Sequence, residues 1–318
     1  MSEKILEVKH LKKYFQVPNG TLHAVEDVNF HIEKGETLGL VGESGCGKST
    51  VGRVILRLIP HTDGEVLYHG ENILKYDARQ MQSLRKKMQI IFQDPYSCLD
   101  PRKTIGQIIA EPLQIHQTVP ANEINMRVLD LMQKGGVSRK LFNSYPHELD
   151  GGRRQRVGII RALALNPEFI VCDEPVSSLD VSIQAQILNL LQELQQTLGL
   201  TYLFISHDLS VVRHISNRIL VMYLGQMVEI CNSHELFKNP VHPYTRALLS
   251  AVPIAKYGYK RERILLEGDV PSPINPKPGC KFANRCWMAK DICRKEAPPV
   301  CTVSEGHQVC CHFAKESV

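Results

Sequence analysis

Apolar and polar side chains alternate with period two over residues 5–8 and 25–32, which predicts an N-terminal antiparallel sheet. Short runs that are almost wholly apolar, at 37–41, 88–92, 169–172, 201–206, 218–223 and 226–230, read as further strands. A turn-bounded pair at 64–73 reads as a hairpin. Between the strands the spacing becomes helical: over 51–59, across 105–165, and along Ile183, Ile187, Leu190, Leu191, Leu194 and Leu198. Pro112, Pro120 and Pro146 are expected to break the 105–165 stretch, which reads as an inserted helical subdomain at about 94–165. Strands alternating with helices imply an α/β fold, a parallel sheet covered on both sides.

The run at 37–41 leads into Gly42-Glu43-Ser44-Gly45-Cys46-Gly47-Lys48-Ser49-Thr50, which fits G-x-x-x-x-G-K-[ST] at every fixed position. A strand before and an apolar helix after supply the context that motif requires. Its glycines let backbone N–H groups curl around phosphate oxygens, and the helix presents its positive end to them. Lys48 reaches the β- and γ-phosphates, and Ser49 is placed to ligate Mg2+. The strand at 169–172 ends in Asp173 and Glu174, paired acids that suit a second, metal-handling loop. Upstream, Tyr14 and Phe15 form an aromatic pair that either stacks on an adenine face or anchors a loop to the core.

Composition changes this picture little. A chain of 318 residues suggests about two domains, and a net charge of +5 points to no particular partner. The first seven residues lack the apolar centre of a secretory leader, and no stretch is long enough to cross a bilayer. A cytosolic chain is expected, with any membrane role exercised through partner subunits. Of ten cysteines, six lie between Cys280 and Cys311. In a reducing compartment such clustering suggests metal before disulfides. Cys280, Cys286, Cys293 and Cys311 are spaced C-x5-C-x6-C-x17-C, a set suited to a [4Fe-4S] cluster or a structural Zn2+, and Cys310 competes with Cys311 for the fourth place.

Gly42 to Thr50, Gln93, Leu149-Asp150-Gly151-Gly152-Arg153, Asp173-Glu174, Asp180 and His207 occur in the order found in ATP-binding cassette (ABC) ATPases, which this chain resembles to about residue 235. Beyond it, the segment from Asn239 through His242, Tyr244 and Arg246 to Leu249, with the terminal cysteines, resembles the C-terminal extension of oligopeptide and dipeptide importer ATPases, the F-type subunit of the pair. The resemblance implies a RecA-like core with an N-terminal antiparallel β subdomain in residues 1–235, a helical insertion, and a small Cys-rich extension in 236–318. It implies ATP as substrate and Mg2+ held by Ser49, Gln93 and, through water, Asp173. Glu174 would orient or deprotonate the attacking water, and His207 would contact the γ-phosphate. The adenine-stacking position falls on Phe15, with Tyr14 as second choice. The resemblance also favours the iron-sulfur cluster over zinc, and the pattern His-x-Val-x-Cys starting at His307 selects Cys311.

Two such ATPases close head to tail, so the resemblance implies a second ATPase subunit, two transmembrane permease subunits on the cytoplasmic face of the membrane, an extracytoplasmic binding protein reached indirectly, and no nucleic acid. The family signature Leu-Ser-Gly-Gly-Gln here reads Leu149-Asp150-Gly151-Gly152-Arg153. Asp150 keeps a good helix cap, but a carboxylate about 4 Å from a phosphate charge costs on the order of 4 kcal/mol at an effective dielectric near 20. Arg153 and Arg154 are expected to offset it, and a heterodimer of unequal sites follows. Two other readings compete: a nucleotide-gated subunit with little hydrolysis, and a soluble cassette acting on ribosomes or DNA, against which the absence of a second phosphate loop argues. Peptides are the expected cargo, with nickel, metallophore or glutathione importers as near alternatives.

Overall fold

The computed structural model describes residues 3–252 and 263–316; the leader reading at Met1 and Ser2, and residues 253–262, 317 and 318 of the extension, lie outside them. In chain order the elements are β1 (Lys4–Val17), β2 (Gly20–Glu33), β3 (Thr37–Val41), α1 (Lys48–Ile55), β4 (Asp63–Tyr68), β5 (Glu71–Asn72), α2 (Ala78–Lys87), β6 (Met88–Ile91), α3 (Ile105–His116), α4 (Ile124–Lys134) and α5 (Gly151–Leu163). There follow β7 (Phe169–Asp173), α6 (Val181–Leu198), β8 (Thr201–Ser206), α7 (Leu209–Ile215), β9 (Arg218–Tyr223), β10 (Gln226–Asn232), α8 (Ser233–Lys238), α9 (Pro243–Ser250), α10 (Asp291–Lys295), β11 (Val300–Ser304) and β12 (His307–Cys310). The chain forms two compact units, one chiefly Lys75–Ile205, the other Lys4–Ile32, Thr37–Leu74 and the chain from Ser206 onward.

In the second of these, β2, β1, β4 and β5 lie side by side in that order, with β1 antiparallel to β4. The strand expected at 5–8 is longer than its alternation suggests, because His10 takes a φ of 49° and the register against β4 slips between Lys9 and Lys12. That bulge resets the pattern, so the residues around Tyr14 and Phe15, expected between strands, continue β1. The same unit holds the strand series β11-β12-β10-β9-β3. β3 runs parallel to β9 and is buried along its length. The Cys-rich tail is tied into this sheet: β12 pairs antiparallel with β10 through Glu229 opposite Val309 and Ile230 opposite Gln308.

In the other unit β8, β7 and β6 run parallel, and β7 is buried throughout. Helices α3, α4 and α5 pack on one another and form the expected helical insertion. Thr104 and Gln107 close a capping box at the start of α3. Pro112 does not end that helix, contrary to expectation, because Ile105, Ile108, Ile109 and Leu113 bury one face and packing outweighs the lost backbone hydrogen bond.

Candidate functional site

The phosphate loop stands between β3 and α1. Two of its glycines are required by space: Gly47 has a φ of 103°, and a Cβ there would lie 2.1 Å from the Ala24 carbonyl oxygen. Gly42 is equally confined, 2.3 Å from the Met222 carbonyl oxygen. The buried Lys48 ammonium donates to the carbonyls of Gly42 (2.9 Å) and Glu43 (3.0 Å), so the cation lies across the loop just where helix α1 begins. Cys46 is buried beneath it, with its thiol pushed up by burial. On β1, the Tyr14 ring stacks on His23 at 4.1 Å and its hydroxyl donates to Glu26 at 2.7 Å. Burial and the Glu26 carboxylate raise the Tyr14 pKa. Phe15 carries the Lys13 ammonium 4.5 Å from its ring centroid and stacks on no other ring among the described residues. His207 follows β8 directly and precedes Asp208, which caps α7 through the Ser210 N–H.

In the other unit Asp173 closes β7 and is buried. Glu174 leaves the strand in the left-handed region, φ 48°, a cost of about 1–3 kcal/mol for a residue with a side chain. Its N–H donates to the Ile205 carbonyl at 3.0 Å, and its carbonyl accepts from the Ser177 hydroxyl at 3.1 Å. These bonds hold the strained turn and turn the carboxylate toward Gln93, whose amide donates to it at 3.0 Å. Two predicted residues 81 positions apart are thereby brought together.

Leu149 is buried and Asp150 caps α5, accepting the Arg153 N–H at 2.7 Å. The Arg153 guanidinium lies 3.4 Å from the second Asp150 oxygen, so one expected neutralising partner is in place. Arg154 is not a second. It is buried, donates to the Pro146 carbonyl and lies 3.7 Å from the Tyr96 ring centroid, a structural position in the subdomain. Gly151 and Gly152 open α5, and Asp180 precedes α6 as its cap residue without a side-chain cap bond.

The expected metal cluster is corrected. Among the described residues no group of three or more His, Cys, Asp or Glu is placed to hold a metal ion, so neither a [4Fe-4S] cluster nor Zn2+ at Cys280, Cys286, Cys293 and Cys311 is supported. Burial pushes the Cys280 thiol up to about 11 and raises Cys286 and Cys311. Cys310 is held at about 12 by the same cause. Cys311 packs with Cys301 against the apolar cluster of Val241, Val309 and Ala314. The tail is instead fixed by β12 on β10 and by the fully buried Glu229, which accepts from the N–H groups of Val241 (2.9 Å) and His242 (3.0 Å) and pairs with His307 (2.8 Å).

Sequence reasoning gives Tyr244 no role and passes over Arg285. The Tyr244 hydroxyl accepts the N–H of Glu43 at 3.0 Å, and Arg285 pairs with the Glu43 carboxylate at 3.1 Å. No sequence signal links positions so far apart; the only hint is an aromatic residue in the segment that follows the cassette.

The chain matches the ABC transporter family over residues 25–177 and the C-terminal region of oligopeptide/dipeptide transporters over 228–293. The oligopeptide transport ATP-binding protein AppF of Bacillus subtilis (strain 168) is 51% identical, over 98% of each chain. The oligopeptide transport ATP-binding protein OppF of Haemophilus influenzae is 50% identical, over 97% of each. Among solved structures, a dimeric post-hydrolysis state of the ATP-binding cassette MJ0796 bound to ADP and Pi superposes with a TM-score of 0.66 at 29% identity, covering 72% of this chain and 98% of that one. With a nucleotide loop, a cassette fold and an extension all of one kind, the chain belongs to the oligopeptide/dipeptide-transporter family of ABC ATP-binding proteins.

Proposed function

We propose that this chain binds and hydrolyses ATP to drive uptake of oligopeptides or dipeptides, working as one cassette of a head-to-tail pair. Its partner is a second, different ATPase, and the pair docks on two permease subunits at the cytoplasmic face of the membrane. No helix among the described residues is long and apolar enough to cross a membrane, which suits a chain held there by partners. The observation that carries the proposal is the joining of an intact phosphate loop to a peptide-transporter extension in one chain.

In this reading the loop amides and Lys48 hold the phosphates, and Phe15 stacks on the base. Ser49, Gln93 and, through water, Asp173 carry hard oxygen donors of the kind Mg2+ takes; the ion would neutralise phosphate charge. Glu174 orients and polarises the attacking water from a strained turn, and His207 contacts the γ-phosphate. Asp150 and its neighbours serve the partner's nucleotide; the departure of Asp150 and Arg153 from the regular signature supports unequal sites, the weaker one being served by this altered signature, with Arg153 offsetting the Asp150 charge.

Glu174→Gln in the assembled transporter tests the assignment. It keeps the shape of the side chain and removes the base, so ATP turnover and peptide uptake are expected to fall about 10²-fold or more while ATP still binds. Retained turnover would transfer the catalytic role to the partner's site.

A further inference from the structure

The extension that follows the cassette holds the second residue of the phosphate loop by both its main chain and its side chain. Tyr244 is wholly buried on α9, its ring 4.7 Å from Tyr223 and 5.5 Å from Phe282. From that aromatic cluster its hydroxyl accepts the Glu43 N–H at 3.0 Å. The same peptide group carries the Gly42 carbonyl, which accepts the Lys48 ammonium at 2.9 Å. One rigid peptide plane therefore separates Tyr244 from Lys48, and fixing its N–H fixes the direction of the carbonyl that steadies the ammonium.

Arg285 adds charge to this geometry. Its side chain is only 10% exposed, and one guanidinium nitrogen, Nη1, donates to both Glu43 oxygens (3.1 and 3.3 Å) and to the Tyr223 hydroxyl (3.5 Å). Among the described residues its Nε has no hydrogen-bond partner, so Glu43 and Tyr223 set the position of the cation. A carboxylate in a loop that must receive a polyanion repels it, and Arg285 cancels that charge where it stands. The extension also reaches β2: the His23 N–H donates to the Pro273 carbonyl at 3.0 Å, and Asn275 exchanges two 2.9 Å bonds with Thr21. This lies beside the Tyr14–His23 stack.

We infer that Tyr244 and Arg285 are positioning residues that set the ATP affinity of this chain's own phosphate loop, making the extension a built-in regulator of nucleotide occupancy. The inference rests on the reading of residues 42–50 as an ATP site. It is tested with Mg-ATP on the assembled transporter, by equilibrium binding and by steady-state turnover. Arg285→Met is expected to raise both Kd and KM for ATP about tenfold with kcat within about twofold, since it exposes the Glu43 charge. Tyr244→Phe is expected to raise both about threefold. The double variant Arg285→Met/Glu43→Gln is expected to return to near the native Kd, a rescue that a purely structural arginine would not give. Unchanged affinity in Arg285→Met, or an equal loss in the double variant, overturns the inference. Should Arg285→Met fail to fold, Glu43→Gln decides alone: tighter ATP binding supports the proposal, and weaker or unchanged binding refutes it. Lys48→Ala separates the two levels. If it binds ATP normally, the reading of the loop itself is wrong; if it loses ATP while Arg285→Met does not, only the present inference falls.

Discussion

Acid should loosen the extension through one imidazole. His242 is buried beside Phe282, and burial outweighs the opposing attraction of Glu229 to hold its pKa at about 4 against an ordinary 6.5. The neutral ring is needed where it stands, because Nδ1 accepts the Tyr244 N–H at 3.1 Å and caps α9, which a protonated nitrogen cannot do. Because the folded pKa is depressed, the unfolded chain takes up a proton between pH 6.5 and 4 that the folded chain refuses. The stability is therefore complete above about pH 6.5 and is lost as pH falls toward 4. The full difference is about 3 kcal/mol, of which about 2 kcal/mol disappears between pH 7 and pH 5. Denaturant unfolding at a series of pH values checks this against His242→Asn, which retains a capping acceptor and does not titrate. Asn leaves a cavity, which lowers stability by an amount that does not change with pH. The native protein should lose about 2 kcal/mol more than the variant over that interval. Parallel curves would refute the reasoning.

The signature pair gives a second prediction. Arg153→Gln strips Asp150 of its partner and should lower turnover of the assembled transporter several-fold, while Asp150→Ser/Arg153→Gln should run within about twofold of the native rate. Asp150→Ala should also cost about 1 kcal/mol in thermal unfolding through loss of the cap, and Asp150→Ser almost nothing. An unchanged rate in Arg153→Gln would show that the pairing is irrelevant to turnover. Gly47→Ala meets the Ala24 carbonyl at 2.1 Å in a left-handed conformation and should lose about 3 kcal/mol by thermal unfolding, together with ATP binding.

What was legible in the sequence follows the range of the interactions concerned. The strand–loop–helix around Lys48 is local, and its pattern names both shape and chemistry. The acids after β7 were readable as a pair, but the left-handed turn at Glu174 and its bond to Gln93 were not, since both depend on packing between distant segments. Arg154 shows the same limit: charge placed it beside Asp150, and only the fold reveals that its guanidinium is buried on Pro146 and Tyr96. The tail misled because clustered cysteines suggest a metal, whereas its attachment lies in the pairing of residues 229 and 309, which no spacing encodes.

The addition of β12 to β10 also settles a problem of exposure. β10 would otherwise offer a row of unpaired amides along an apolar strand, with Met227, Val228 and Ile230 buried, a template for joining another molecule edge to edge. The hairpin moves that edge outward to β11, a strand of five residues entered from Pro298 and Pro299, with Val300, Thr302 and Ser304 exposed. Such a short, proline-led border invites no further strand. The extension is therefore an anti-aggregation border for the cassette, and a cassette cut off after β10 would be a different, stickier material.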